Sequence, residues 1–165
     1  MSTPQPPRLE KPRDLLLDDL KRLLTVETTL ARTMLPKLLQ EVQNEDLKKA
    51  LQQHHQETKQ HVTNVQEAFE KLGERPEGKG APGLDGLKQE HATGVSAVAP
   101  ALREFFDACA AIGSEHYEIA IYSSALLLAR SCGEHEVESL LGANLEQEFA
   151  ALKKLETISE QLPRS

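Results

Sequence analysis

The chain has 165 residues, enough for one domain with a single sizeable core. With 39% hydrophobic residues, no Trp, two Tyr and four Phe, that core is left to Leu, Ala, Val and Ile, which favours helices over a sheet. A net charge of −7 argues against a nucleic-acid partner, which needs clustered Lys and Arg, and the lack of an apolar run of about 18 residues argues against a membrane span.

The opening stretch "MSTPQPPRLEKPRD" is proline-rich and has no apolar core, so it is neither a leader nor a helix. Residues 1–13 are read as a flexible tail and residues 14–162 as the folded domain. Cys109 and Cys132 form no metal-binding or redox motif and fit free thiols in the cytoplasm.

From Leu16, apolar residues recur at Leu20, Leu23, Leu30, Met34 and Leu38, the three- and four-residue steps of a core-facing helix. Pro36 lacks a backbone donor and is expected to kink this first helix. Asn44 is a natural N-cap for a second helix, with a stripe at Leu47, Leu51, Val65, Ala68 and Leu72 and a stop at Gly73. "GERPEGKGAPG" cannot be regular, and "LDGLKQEHA" is a short helix inside a long connection. Pro100 suits the first turn of a third helix, with apolar positions at Phe105, Ala108, Ile112, Ile119, Tyr122 and Leu126, closed by Gly133. A fourth helix follows with Leu141, Leu145, Leu152, Leu155 and Leu162.

Connections that run short, long, short predict an all-α, ferritin-like four-helix bundle with one long crossover containing a short extra helix.

Polar residues interrupt these stripes. Glu27 lies between Leu23 and Leu30, Glu115 between Ile112 and Ile119, and Glu148 between Leu145 and Leu152. His54 and His61 occupy stripe positions on the second helix, with Glu57 at the stripe edge. Glu27 and Glu57 each lie about 15 residues from the first hairpin midpoint, as do Glu118 and Glu148 from the second. If the crossover sets both hairpin turns at one end, these four carboxylates share a layer, with Glu115 and His61 about a turn away. A lone glutamate on a stripe ordinarily snorkels to water, and His54 beside His55 ordinarily marks an exposed turn. Coincidence of level across four helices points instead to a cation, because packed carboxylates repel in a low dielectric. A carboxylate and imidazole set suits iron or manganese, and di-metal bundles draw ligands from all four helices.

The stretches "VETTLARTMLPKLL", "HHQETKQHV", "FEKLGERPEGK", "GLDGLKQE", "EHYEIAIY" and "NLEQEFAALKKL" carry a resemblance to the YciE/YciF-like bacterial stress proteins, a ferritin-like family, over residues 16–160. The resemblance implies a homodimer and a di-iron-type site at Glu27, Glu57, Glu115 or Glu118, and Glu148, with a histidine of the second helix. This chain departs from the family pattern at Leu152, where an acidic residue is usual, and Ala151 stands where a Glu-x-x-His motif places its histidine.

Two functions are compatible with these residues. One is a di-metal oxidoreductase reactive with oxygen or peroxide, in which Glu57 and a second glutamate bridge two metals, Glu27 and Glu148 are terminal ligands, and Tyr122 hydrogen-bonds nearby. The other is a non-enzymatic stress protein that acts by dimerisation or partner binding around a degenerate or empty site.

Overall fold

The computed structural model describes residues 8–162; most of the expected tail, residues 1–7, lies outside that range. The helices are α1 (Pro12–Thr29), α2 (Leu35–Glu41), α3 (Glu45–Lys71), α4 (Pro82–Gly94), α5 (Arg103–Cys132) and α6 (His135–Ser159), and the described residues form no strand. α1 starts at Pro12, two residues before the expected boundary, with proline in its first turn where the missing N–H is not needed.

Ahead of Pro36 the first long helix passes through a π turn, Leu30–Met34, into α2. In this turn the Leu35 N–H bonds to the Leu30 carbonyl, one residue further back than in an α-helix. The Ala31 carbonyl then has neither an α partner at Leu35 nor a π partner, since residue 36 is proline. The His55 ring fills that gap, its Nε2 lying 2.8 Å from the Ala31 oxygen. A proline defect is thus absorbed by a change of register and a side-chain donor from the neighbouring helix.

Asn44 caps α3, its Oδ1 accepting from Asp46 N–H (3.1 Å) and Leu47 N–H (3.0 Å). Gly73 and Gly133 follow α3 and α5 with φ of 71° and 72°, the left-handed conformation that glycine adopts without strain. Pro100 belongs to a 3₁₀ turn, Pro100–Leu102, that leads into α5, rather than to the α-helix itself.

α1 packs on α3 and α5, and α6 packs on the same two, so the four long helices form a square with α3 and α5 on a diagonal. Leu16, Leu20, Leu23, Leu47, Leu51 and Leu141 are among the fully buried side chains. At one end, the Glu104 carboxylate at the start of α5 accepts from Asn44 N–H in the α2–α3 turn (2.7 Å). At the other, Arg13 of α1 donates to Glu134 in the α5–α6 turn (3.1 Å) and to the Leu72 carbonyl at the end of α3 (2.5 Å). The two hairpin turns therefore lie at opposite ends, not at the same end, because the crossover travels the whole length of the bundle. The carboxylates still meet: in α5, 30 residues long, a position 15 residues from either end is the middle.

Candidate metal centre

At mid-bundle the helices bury Glu27, His54, His61, Glu115, Glu118 and Glu148, none more than 4% exposed. α3 supplies both imidazoles from one stripe, on which His54, Thr58, His61 and Val65 follow in three- and four-residue steps and are all buried. Two triads form, Glu27–His61–Glu148 and His54–Glu115–Glu148, with the possible ligand atoms of each within 4.8 Å of one another. Glu148 joins them: its Oε1 is 2.9 Å from His61 Nδ1 and its Oε2 is 4.0 Å from His54 Nδ1. His61 Nδ1 also lies 3.5 Å from Glu27 Oε1, and His54 Nε2 lies 3.1 Å from Glu115 Oε1.

Glu57 stands apart from both triads. It is half-buried, accepts a hydrogen bond from Gln53 Nε2 (2.7 Å), and lines a crevice of about 30 Å³ that also touches His54 and Lys154. Its height along α3 is suitable, but Thr58 occupies the inward position at that level, with its hydroxyl on the His54 carbonyl (2.8 Å). On helix α5 both alternatives, Glu115 and Glu118, turn inward. Ala151 and Leu152 are buried beside Glu148 and donate nothing, so α6 brings no histidine to the cluster and both imidazoles come from α3.

Of four supporting residues, Tyr122 is the hydrogen-bonding neighbour expected from the sequence, while Asn64, Asn144 and Gln147 had only weak sequence signals. Tyr122 donates from its hydroxyl to Glu27 and accepts from Asn144 Nδ2 (2.9 Å). Asn144 in turn accepts from Asn64 (2.6 Å), and Gln147 Oε1 meets His61 Nε2 at 2.8 Å. Asn144 lies on the stripe of Leu141 and Glu148, and an amide there is the cue that a polar network crosses the core. The Gln147 contact places the His61 proton on Nε2 and leaves Nδ1 facing Glu27 and Glu148.

Eight buried side-chain atoms have no hydrogen-bond partner: Glu27 Oε2, both His54 ring nitrogens, His61 Nδ1, Glu115 Oε2, Glu118 Oε2 and both Glu148 oxygens. An unsatisfied buried polar atom costs about 1–3 kcal/mol. Three of them are partly offset, since His61 Nδ1 faces Glu148 Oε1 at 2.9 Å and His54 Nε2 faces Glu115 Oε1 at 3.1 Å. All eight belong to the six clustered residues and none lies elsewhere among the described residues. Burial pushes Glu115 up to about 7 and raises Glu118 well above the ordinary carboxylate range, the latter helped by the charges of Glu148, Glu115 and Glu27. Burial alone would lower His61, but its ring faces the Glu148 and Glu27 carboxylates, which favour the protonated imidazole and lift it to about 10. The cluster is therefore short of positive charge, and its donors fit cations of the first transition row.

A family model described as a domain of unknown function, DUF892, matches residues 11–165. The chain belongs to the DUF892 family. Among solved structures, YcfI of Rhodopseudomonas palustris aligns with this DUF892 protein at 32% identity and TM-score 0.85, over 90% of this chain and 94% of that one. The stress protein YciF of E. coli aligns at 27% identity and TM-score 0.83, over 92% and 96%. A protein of Xanthomonas campestris shares the fold at 23% identity and TM-score 0.74, over 92% of each chain. The resemblance to YciE/YciF-like proteins is thereby borne out. A comparison with curated protein sequences gives no match. No described helix of this DUF892 chain is long and apolar enough to cross a membrane.

Proposed function

We propose that this DUF892 protein is a di-metal carboxylate protein of a stress response, binding two iron ions, with manganese as the nearest substitute. The observation that carries this reading is the pair of buried triads sharing Glu148, whose orphaned oxygens and nitrogens all belong to one cluster. Four carboxylates and two neutral imidazoles carry four negative charges, which two divalent cations cancel. Glu27 and His61 would hold one ion and His54 and Glu115 the other, with Glu148 common to both triads and Glu118 as a further carboxylate. Two bound iron ions supply the electrons with which oxygen or peroxide is reduced.

The chain's own groups orient and insulate that centre. Gln147 fixes the His61 tautomer, and Tyr122 orients Glu27 and is itself held by Asn144. Burial of all six ligating side chains excludes bulk water and strengthens each charge interaction. The stress role draws on the likeness to YciF. Cys109 and Cys132, both unpaired, fit a cytoplasmic location, and exposed Leu127 and Phe149 supply apolar surface for a homodimer. Nucleic acid and membranes are not partners in this reading.

Metal analysis of protein isolated without chelators, and after anaerobic ferrous loading, tests the proposal. Two equivalents per chain are expected, reduced in Glu27→Ala and lost in Glu148→Ala. A loaded wild-type protein that holds no metal would overturn it.

A further inference from the structure

A cavity of about 680 Å³ opens between the first long helix, α4 and α5, within the roughly 300–1,000 Å³ range of small-molecule sites. Its walls are aliphatic: Leu30, Met34 and Leu38 from the π turn and α2, Leu87 from α4, Val95 from the crossover and Ala111 from α5. No Phe, Tyr or Trp lines it, so nothing there offers a flat π face to an aromatic ring. The wall also carries polar residues, among them Thr33, Gln89 and Ser114; its His91–Asp107 pair is satisfied, since His91 Nε2 meets Asp107 Oδ1 at 2.7 Å and Phe106 stacks on the His91 ring at 5.2 Å.

The inner end differs. His54 and Glu115 line the cavity there, and both His54 ring nitrogens and Glu115 Oε2 lack hydrogen-bond partners. These are the only lining residues with orphaned buried polar atoms among those described. The cavity therefore reaches the His54–Glu115 half of the cluster and not the Glu27–His61 half. At the exposed rim stand three cations with different commitments. Lys37 is 4.0 Å from Glu41 and Lys88 is 3.3 Å from Asp85. Arg103 donates one Nη1 bond to the Val95 carbonyl (2.8 Å), which leaves most of its five-donor fork available at the mouth.

We propose that this chamber binds a long-chain aliphatic carboxylate, with its head at Arg103 and its chain running inward to His54 and Glu115. The inference deepens the metal-centre reading by naming its substrate class, and rests on that reading for reactivity but not for binding. A methylene chain matches the aliphatic part of the cavity's lining, and the single anionic group matches the one rim cation without a carboxylate partner. The π turn contributes directly: it follows Glu27 in the chain, and its residues Leu30 and Met34 form the wall.

The test uses the full chain, metal-free, titrated with cis-parinaric acid, a long-chain polyene carboxylate whose fluorescence rises in an apolar site. Wild-type protein is expected to bind one molecule saturably. Ala111→Phe, which fills the chamber, should weaken binding by about tenfold or more while leaving metal content unchanged. Arg103→Gln, at an exposed position, should weaken the acid by about threefold and leave its methyl ester unaffected. No saturable binding by wild-type protein overturns the proposal, as does unchanged affinity in a folded Ala111→Phe. If Ala111→Phe does not fold, Arg103→Gln decides, and equal loss or equal retention of acid and ester overturns it. Fatty-acid binding by a chain that takes up no metal would overturn the metal reading alone, and metal uptake without fatty-acid binding would overturn this one alone.

Discussion

The two halves of the buried cluster share Glu148 yet are supported differently. On the Glu27–His61 side, Tyr122, Asn144, Asn64 and Gln147 form a continuous hydrogen-bond network around the ligating groups. On the His54–Glu115 side His54 and Glu115 face only each other, Nε2 to Oε1 at 3.1 Å, with no supporting side chain of that kind, and a cavity reaches both residues. One half is held in place before any ligand arrives, while the other is loosely restrained and accessible. A preorganised site fixes geometry and an open one admits a reactant, so the asymmetry separates anchoring from access.

The largest expected effect comes from removing what the halves share. With metal in about 100- to 1,000-fold excess over its dissociation constant, wild-type protein should gain roughly 3–4 kcal/mol, and Glu148→Leu should lose that gain. Without metal the same substitution should leave the melting temperature unchanged or raise it, because relief of the repulsion that Glu148 exerts on Glu115 and Glu118 offsets the loss of its contact with His61. Calorimetry of both proteins in both states checks this. A stability loss confined to the metal-free state would contradict the electrostatic account.

Acidity should distinguish the metal-free from the loaded protein. Glu115, raised from 4.5 to about 7 chiefly by burial, keeps its proton in the folded chain over a range where the unfolded chain has lost it. His61, whose partners Glu148 and Glu27 overcome the lowering by burial, does the same between 6.5 and about 10. The folded state binds more protons across this span, so metal-free stability should fall as pH rises from about 4.5 to 10. Metal binding must displace those protons, so metal affinity should rise over the same span. Urea titrations at several pH values should give a falling profile without manganese and a flatter one with it.

A finer cut breaks only the network. Tyr122→Phe removes the hydroxyl shared by Glu27 and Asn144 and should cost about 1–3 kcal/mol. It should weaken one of two metal equivalents, whereas His54→Ala should remove the other and leave the Tyr122 network intact. Stepwise titration with manganese, followed by electron paramagnetic resonance, resolves the two equivalents. Equal weakening of both by either substitution would show that the halves act as one site.

The smallest effect lies outside the cluster. His55→Ala should destabilise the protein by about 1–2 kcal/mol, since it deprives the Ala31 carbonyl of its donor. Pro36→Ala in that background should recover part of the loss by restoring a backbone N–H near the π turn. Denaturation midpoints of the two variants measure both changes.

Helix number, stripe residues and the caps at Asn44, Gly73 and Gly133 were legible in the sequence because each depends on local periodicity or local backbone chemistry. The inward glutamates were legible too, since a charge between two core leucines violates the same periodicity. Direction was less so. Glu57 and Thr58 are neighbours, and 100° of rotation decides which faces inward; height along the helix does not carry that information. Pro36 announced a defect, but the π turn ahead of it depended on a donor from another helix, His55.

By itself, then, the sequence determined an all-α bundle with carboxylates and imidazoles at mid-height, because spacing along a helix sets both face and level. Tertiary structure decided that the hairpin turns lie at opposite ends, that His54 and His61 both join the cluster rather than one of them, and that an aliphatic cavity meets only one half of it. Those outcomes depend on how the crossover and α4 cover the bundle. Packing between segments remote in sequence leaves no periodic trace in any one of them.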